Sequence, residues 1–463
     1  MKFVRLFNSI QAALVVACLA AVGCNSRSEV KAPRRPVTNQ YHGVKVVDPY
    51  QWLENTGDPA VRRWSAAQNE SARAVLDRLP TRPLVEDRLT RLLTDTSANY
   101  FSMSWRRGQF FLLKFKPPAQ QPVLITLGSL TNLSSEKVIL DPNELNTNGT
   151  TAIDWYVPSL DGKLVALSLS QNGSEEGALY IYETATGQRR PDVIPRVQAA
   201  TAGGSAAWNA DGSGIFYTRY PRKGEKRGED LSFYQQIYFH KVGAPVEQDT
   251  YELGKEFPRI AETQLKASPD GRYTLATVAN GDGGEYAHYL REPSGGWRQI
   301  TRFKDQIKQV EFGRDPVYIE WGKDEALYLL SHNGAPKGTI LRLPLAQPDL
   351  TNAYTIFPGG TNVIQDFKPA ASGLCLVFLN GGPMELAYVD YFENTIRSLV
   401  EKSSTTVEEM LVTQGDDVVF RAVTFTEPYA WLRYNPNRNK ERIDTTLLYG
   451  KSPVSFGDVE AVR

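Results

Sequence analysis

The sequence predicts an all-β fold, a seven-bladed β-propeller preceded by a short α-helical N-terminal segment. Beyond Tyr100, short runs rich in Val, Leu, Ile, Tyr and Phe alternate with turns of Gly, Asp, Asn and Pro, which is typical of strands. A polar turn directly before an apolar strand recurs at positions 107, 161, 211, 270, 324, 373 and 416. The steps of 43 to 59 residues, with a mean of about 51, fit one multi-stranded blade per repeat.

The composition is that of a globular protein and excludes several classes of partner. Of the 463 residues, 41% are hydrophobic and 22% are charged. Equal numbers of basic and acidic side chains, 52 each, argue against nucleic acid as the main partner. Three Cys exclude a disulfide scaffold and a four-Cys zinc site, and none of the four His is paired at metal-ligand spacing. We therefore expect no metal and no cofactor.

The first 24 residues predict a lipoprotein-type signal peptide. Lys2 and Arg5 precede an apolar run over residues 12–23, which is shorter than the roughly 20 residues that span a bilayer. Residues 21–24 resemble the bacterial lipoprotein box, with Cys24 as the lipid attachment site. The chain would then face the periplasm of a bacterial cell envelope, with a lipid anchor as its only link to the membrane. An ordinary signal peptide and a secreted or periplasmic soluble protein are the alternative.

The remaining chain divides by pattern. Residues 25–40 are polar and rich in Pro and Arg, and predict a tether. Residues 41–100 form the N-terminal helical segment, because apolar side chains recur at helical spacing between residues 58 and 94. The strand repeats predict that residues 101–455 form the propeller.

No residue of the sequence is expected to be catalytic. The nucleophile motif Gly-x-Ser-x-Gly is absent, and its nearest relative, around Ser205, lacks the second Gly and precedes a strand. Cys375 lies in an apolar run and predicts a buried strand residue. The histidines are expected to be structural or to lie in surface turns: His42, His240, His288 and His332.

Residues 41–54, YHGVKVVDPYQWLE, resemble the opening signature of the prolyl oligopeptidase family of serine peptidases. The resemblance continues in family order to the end of the chain. Further matching strings are Trp64 with residues 67–69, and residues 140–143, 208–220, 236–243 and 268–273.

The resemblance implies a propeller inserted into an α/β-hydrolase domain, where it covers the active site and admits short peptides. The family's Ser, Asp and His follow the propeller. Residues 456–463 resemble the start of the linker to that hydrolase domain, which is absent from the sequence, so no catalytic residue can be carried over. The expected function is the substrate-gating portion of a serine endopeptidase that cleaves short peptides after proline, from a truncated, split or decaying gene. The alternative is a membrane-tethered, non-catalytic propeller that binds peptides or a partner protein.

Two surfaces are expected to meet other domains. In the family, the loop that corresponds to residues 221–230 reaches toward the catalytic domain, and the alternative is a solvated charge run. The candidate interdomain residues are Lys223, Lys226, Arg227, Glu229 and Asp230. A hydrolase domain or partner chain would pack on residues 41–100, and without it an apolar patch would be exposed. Its expected members are Trp52, Trp64, Leu84, Leu89 and Leu92.

Overall fold

The fold is that of a computed structural model, which describes residues 30–314, 325–393, 395–400, 405–413, 416–438 and 442–459. The chain divides into two compact units, one up to Arg91 and one from Leu92 onward, and each is described by itself. Within the described residues, no helix is both long and apolar enough to cross a membrane.

The first unit contains a β-hairpin followed by helices. The hairpin pairs β1 (Val37–Tyr41) with β2 (Val44–Asp48), and the helices are α1 (Pro59–Leu76) and α2 (Arg82–Thr94), whose last residues fall in the second unit. Helix α1 begins where the Asp58 carboxylate accepts a hydrogen bond from the Ala60 backbone N–H at 2.7 Å. The two helices are present where the pattern predicts them, whereas the hairpin was not predicted.

The expected apolar patch of this first segment is confirmed only in part. Leu84 and Leu89 are exposed, at 72% and 50%. Trp52, Trp64 and Leu92 are instead half-buried. The Trp52 indole is covered locally, because its Nε1–H donates to the Pro33 carbonyl at 2.9 Å. The prediction failed for Trp52 because helical periodicity does not reveal its contact with the preceding tether.

The second unit is the predicted propeller. Its described part contains seven antiparallel four-stranded sheets, each built from four consecutive strands. Blades 1 to 4 contain β3 (Asn99–Arg106), β4 (Gln109–Phe115), β5 (Val123–Leu127), β6 (Lys137–Leu140); β7 (Thr151–Pro158), β8 (Leu164–Gln171), β9 (Gly177–Glu183), β10 (Arg189–Gln198); β11 (Ala206–Trp208), β12 (Gly214–Arg219), β13 (Gln236–Lys241), β14 (Thr250–Leu253); β15 (Glu262–Ala267), β16 (Thr274–Ala279), β17 (Tyr286–Arg291), β18 (Trp297–Thr301).

Blades 5 to 7 follow the same plan. They contain β19 (Ile307–Arg314), β20 (Glu325–Ser331), β21 (Thr339–Pro344), β22 (Tyr354–Phe357); β23 (Val363–Pro369), β24 (Gly373–Leu379), β25 (Met384–Asp390), β26 (Ile396–Ser398); β27 (Thr406–Val412), β28 (Val418–Val423), β29 (Ala430–Tyr434), β30 (Ile443–Tyr449). A one-turn helix, α3 (Pro142–Leu145), lies between blades 1 and 2. The predicted all-β, seven-bladed architecture is confirmed.

The repeated polar turn joins the first two strands of each blade, except that the copy near position 324 lies outside the described residues. In blade 2, Ser159 Oγ donates to Asp161 Oδ1 at 2.7 Å, and Gly162 takes a φ of 72°. In blade 4, Ser268 Oγ donates to Asp270 Oδ1 at 2.6 Å. The motif therefore repeats because the turn needs a short side-chain acceptor followed by a residue that tolerates positive φ.

The hydrophobic core lies between neighbouring blades. Tyr328, Phe367 and Leu376 pack together between blades 5 and 6 and are fully buried. Burying each such side chain stabilises the fold by about 1.5–3 kcal/mol. Cys375, in the same sheet as Phe367, is also fully buried, as predicted, and burial raises the pKa of its thiol.

The ring closes without exchanging a strand between the first and last blades. Blade 1 uses only β3–β6 and blade 7 only β27–β30. The Trp431 indole N–H donates to the Tyr100 carbonyl at 2.9 Å. The Glu409 carboxylate accepts from the backbone N–H groups of Ser102 and Met103 at 3.0 and 3.1 Å. Side-chain hydrogen bonds and a shared apolar cluster hold the seam.

Candidate functional site

One end of the propeller gathers the loops between the second and third strands of each blade with the connections between blades. We call this end the connector face. In blade 3, for example, the backbone N–H of Tyr234 donates to the carbonyl of Arg259 in the connection to blade 4, at 2.9 Å. The chain enters β3 and leaves β30 here too, because the Lys451 backbone N–H donates to Ser97 Oγ at 2.7 Å. Both flanks of the propeller therefore emerge together on the connector face.

The charged loop over residues 221–230 lies on the connector face, between β12 and β13. The buried Arg219 guanidinium donates to both oxygens of Glu225, at 3.1 and 2.9 Å, and lies 4.1 Å from the Tyr238 ring centroid. Partial burial would raise the pKa of Glu225, but hydrogen bonds from the Arg222 backbone and from Arg219 outweigh it and hold that pKa below its ordinary value. Glu225 therefore stays ionised and pins the start of the loop.

The end of the loop is pinned by Asp230. Its carboxylate accepts from Arg259 Nε at 2.8 Å, and the same guanidinium lies 3.7 Å from the Phe233 ring centroid. Asp230 thus anchors the loop to the connection with blade 4. Of the five interdomain candidates, Asp230 is the one whose ion pair, within the described residues, reaches a segment outside the loop.

The other four candidates are exposed in the middle of the loop. Arg227 and Glu229 form an ion pair at 3.6 Å in which both side chains are more than 70% exposed, so it contributes little stability. Lys226 Nζ lies 4.1 Å from the Tyr234 ring centroid. Lys223 is exposed as well. The loop therefore presents three cations and one carboxylate at a segment held at both ends.

The sequence reasoning missed the two residues that anchor the start of this loop. Arg219 ends a strand in which every residue is buried, and Glu225 follows inside a mainly basic run. A cation at the end of a buried strand needs a partner, and the nearest acid along the chain supplies it. This reasoning applies only once Arg219 is known to be buried, which the sequence alone does not show.

A second charged cluster lies on the first strands of blades 4, 5 and 6. The first strands of neighbouring blades contact one another, as β19 contacts β23, and line the central channel of a propeller. Glu311 accepts from Lys368 Nζ at 2.5 Å and from Lys266 Nζ, and Gln309 Nε2 donates to Asp366 Oδ1 at 2.7 Å. This network ties three blades together through side chains.

The charge state of Glu311 follows from its partners. Burial alone would raise its pKa, but the two ammonium groups lower the pKa of Glu311 to about 2. Burial among the blades of the propeller lowers the pKa of Lys266, although 47% of its side chain remains accessible to solvent. The two lysines offset the two carboxylates of the cluster, so it is an ion network without surplus charge for a ligand.

The side chains of Ser205, His288 and Thr301 all have partners within the fold. Ser205 is buried, and its Oγ accepts from the Leu265 backbone N–H at 2.9 Å, which joins blade 3 to blade 4. His288 Nδ1 lies 2.6 Å from Thr301 Oγ1, and burial lowers the pKa of His288 to about 3. Ser205 therefore occupies a packing position between blades 3 and 4.

Among the residues that the structure describes, no group of three or more His, Cys, Asp or Glu side chains could hold a metal ion. Cys24, the predicted lipid attachment site, lies outside the described residues.

Comparison with known proteins identifies the propeller. Residues 30–445 match the family model described as the prolyl oligopeptidase N-terminal β-propeller domain. The chain is 27% identical over 330 residues to a prolyl endopeptidase of Elizabethkingia meningoseptica, covering 69% of this chain and 44% of the relative. It is 25% identical to prolyl oligopeptidase A of Amanita bisporigera, covering 89% of this chain and 57% of the relative. The chain thus spans about half the length of these curated relatives.

Solved structures show the same fold. One, from a study of two prolyl endopeptidases, superposes with a TM-score of 0.78 at 22% identity, over 92% of this chain and 60% of the other. Prolyl oligopeptidase B from Galerina marginata, bound to a 35mer hydrolysis and macrocyclization substrate, gives a TM-score of 0.75 at 17% identity, over 92% of this chain and 61% of the other.

Proposed function

Because the chain belongs to the prolyl oligopeptidase family, we propose that it is the substrate-gating propeller of a serine endopeptidase that cleaves short peptides after proline. The observation that carries this proposal is the connector face. Both flanks of the propeller and the charged loop meet there, so a domain built from the flanking segments would lie over the end of the channel. The relatives named prolyl endopeptidase, and the peptide bound to the Galerina enzyme, support peptides as the substrate class.

The partner on the N-terminal unit is proposed to be an α/β-hydrolase domain. Leu84 and Val85 on α2 are 72% and 55% exposed, and Val44 and Val47 on β2 are 63% and 60% exposed. Apolar side chains exposed next to one another on an element usually mark a surface that another domain covers. The charged loop would contact the same hydrolase domain through Lys223, Lys226, Arg227 and Glu229.

The acyl-transfer chemistry is proposed to come from that hydrolase domain. A serine peptidase needs a nucleophile, a general base and a group that orients the base. Ser205 Oγ accepts a hydrogen bond from the Leu265 backbone N–H, and His288 Nδ1 lies at hydrogen-bonding distance from Thr301 Oγ1. The 463 residues alone are therefore expected to bind and admit peptides without cleaving them.

The test is hydrolysis of a short proline-containing peptide by the purified chain, alone and fused to the hydrolase domain of a relative. We expect no turnover by the chain alone, and cleavage after proline by the fusion for an eight-residue peptide but not for a folded protein. Turnover by the chain alone that survives purification and is blocked by a serine-directed inhibitor would contradict the proposal. Saturable peptide binding with no activity in any fusion would favour the alternative, a non-catalytic binding propeller.

The cellular location is proposed separately, from the sequence alone. Lipid attachment at Cys24 would hold the propeller at a bacterial membrane, facing the periplasm. Metabolic labelling with a fatty acid tests this, with Cys24→Ser as the variant and Cys18→Ser, also in the signal, as the matched control. Label lost only in Cys24→Ser is the expected result. Label that persists in that variant would contradict attachment at Cys24, and a parent chain without label would favour a soluble secreted protein.

A further inference from the structure

His240 lies between two carboxylates that belong to different blades. It sits on β13 of blade 3, with Asp249 just before β14 of the same blade and Asp192 on β10, the last strand of blade 2. Its Nδ1 is 2.6 Å from Asp249 Oδ1, and its Nε2 is 3.1 Å from Asp192 Oδ1. The three side chains are 1%, 4% and 0% exposed, so these contacts are shielded from bulk solvent.

The geometry sets the number of protons on the ring. A neutral imidazole carries one N–H, and its other nitrogen is an acceptor. Because both ring nitrogens of His240 face a carboxylate oxygen, a neutral ring would point one lone pair at an oxygen lone pair. Only the imidazolium donates to Asp192 and Asp249 together, with the strength of a charge-assisted hydrogen bond.

The surrounding groups cannot replace that proton. The Tyr217 hydroxyl donates to Asp249 Oδ2 at 2.7 Å, and the Gly243 backbone N–H donates to Asp192 Oδ1. The second oxygen of Asp192 has no hydrogen-bond partner within the described residues. Two arginines act at longer range on Tyr217: Arg219 and Arg222. Deprotonation of His240 would therefore leave two enclosed carboxylates without a cation, which is costly.

We propose that His240 is a proton-dependent clamp that holds blade 3 against the last strand of blade 2 and releases this junction when its imidazolium loses a proton. The partner residue on blade 2 lies 48 positions away in sequence, so the clamp joins two repeats rather than two turns of one hairpin. Asp249, which also accepts a hydrogen bond from the Tyr217 hydroxyl, orients the ring through Nδ1. Asp192 accepts the hydrogen bond from Nε2.

The sign of the pH dependence follows from the contacts. Burial lowers the pKa of His240, but its hydrogen bonds to Asp249 and Asp192 outweigh burial and raise that pKa above the ordinary value of 6.5. The clamp is then fully present below pH 6.5 and is lost as the pH rises through the pKa of the folded protein. Between pH 6.5 and the pKa of His240 in the folded protein, the fraction of molecules with the junction open should increase by up to about tenfold per pH unit.

The first experiment uses the chain labelled with ¹³C at the histidine Cε1 positions. The chain has four histidines, and the resonance missing from His240→Gln assigns the one of interest. We expect it to titrate above pH 6.5, and hydrogen exchange of β10 and β13 to accelerate over the same interval beyond that of β16 and β17, which corrects for base-catalysed exchange. Titration below 6.5, or exchange that does not follow the titration, would overturn the proposal.

The second experiment uses Asp192→Asn, which keeps the shape and removes one of the two charges. Its matched control is Asp161→Asn, a turn carboxylate of the same blade. In Asp192→Asn the His240 titration should shift to lower pH. At the upper end of that pH interval, the acceleration of hydrogen exchange in β10 and β13 should be at least tenfold smaller than in the parent chain. Asp161→Asn should change neither. An unaltered His240 titration in Asp192→Asn would show that no clamp exists between these residues.

Discussion

The carboxylate of Glu311 lies between two ammonium groups from neighbouring blades, and these neighbours determine its charge. Lys266 and Lys368 reach it from β15 and β23, and each uses a different carboxylate oxygen. The pKa of Glu311, lowered to about 2 from an ordinary 4.5, means that the ion network stabilises the folded state above pH 4.5 and loses this contribution as the pH falls through 2.

Glu311→Gln should therefore lower the free energy of unfolding at pH 7 by about 1–2 kcal/mol, because two ammonium groups lose their shared anion while Lys266 stays half exposed. Chemical denaturation at pH 7 and pH 3 measures it, and the difference from the parent chain should shrink at the lower pH. Glu176→Gln, at an exposed turn position, is the matched control and should be neutral. A cost that does not depend on pH would contradict the ion-network explanation.

Glycines in the repeated turn provide a second test at the scale of single residues. Gly212 and Gly271 both have positive φ, at 70° and 74°. A Cβ on Gly212 would meet open space, whereas one on Gly271 would overlap the Leu160 side chain and lie 2.6 Å from Ala210 Cα. The two positions therefore share the conformational requirement and differ in crowding.

Gly212→Ala should cost about 1–2 kcal/mol from the left-handed conformation alone. Gly271→Ala should cost about 1–3 kcal/mol more, because its Cβ also overlaps Leu160 and Ala210, which belong to two other blades. Thermal and chemical denaturation of the two variants compare them directly. Equal destabilisation would show that crowding between blades does not matter at this turn.

At the scale of the element, each blade is a four-stranded sheet that buries both faces against its neighbours. The polar turns could be located from sequence because their chemistry lies within five residues, as Ser159 and Asp161 show. The β1–β2 hairpin could not, because its strands are short and mostly exposed and give no apolar alternation. The residues that anchor the charged loop were missed because Arg219 must first be known to be buried.

Two tryptophans each donate an indole N–H to a backbone carbonyl of a neighbouring blade, Trp208 from the first strand of blade 3 and Trp431 from the third strand of blade 7. The Trp208 indole N–H donates to the Val157 carbonyl of blade 2, and that of Trp431 donates to the Tyr100 carbonyl of blade 1, both at 2.9 Å. Blades 2 and 3 are also joined by the chain, whereas blades 7 and 1 meet without a covalent connection between them. The pair therefore compares a hydrogen bond at the seam with one between blades that the chain also joins.

Trp431→Phe should lower the free energy of unfolding by about 1–3 kcal/mol, because a buried carbonyl loses its donor, and should increase hydrogen exchange in β3 and β29. Trp208→Phe should cost a similar amount but leave exchange confined to blades 2 and 3. Exchange mass spectrometry distinguishes them. If Trp431→Phe leaves β3 as protected as before, the seam is held by its apolar cluster alone.

At the scale of the whole molecule, the chain combines a self-contained propeller with an N-terminal unit that exposes apolar side chains. The propeller buries a large apolar core between its own blades, as Tyr328 and Phe420 illustrate, although Phe425 and Phe392 are exposed. Leu84 and Leu89 instead remain exposed on α2. The N-terminal unit is therefore the part of the chain expected to need a partner.

The double variant Leu84→Asp with Leu89→Asp should reduce self-association and binding of a hydrophobic dye, because it places charge on that exposed face. Light scattering and dye fluorescence measure the change. Leu145→Asp, at a position 52% exposed on α3, is the control and should have little effect. Unchanged scattering and fluorescence in the double variant would place the associating surface elsewhere.

The sequence by itself determined the number of blades, the helices of the first unit and the burial of Cys375, because each depends on short patterns of neighbouring residues or on their recurrence along the chain. Only the tertiary structure decided which charges meet. Glu311 lies 45 and 57 positions from its two lysines, and His240 lies 48 positions from Asp192, so each contact joins different blades. Such pairs leave no trace in local periodicity, because the packing of one blade on the next brings them together. The same holds for the seam, where residues more than 300 positions apart close the ring.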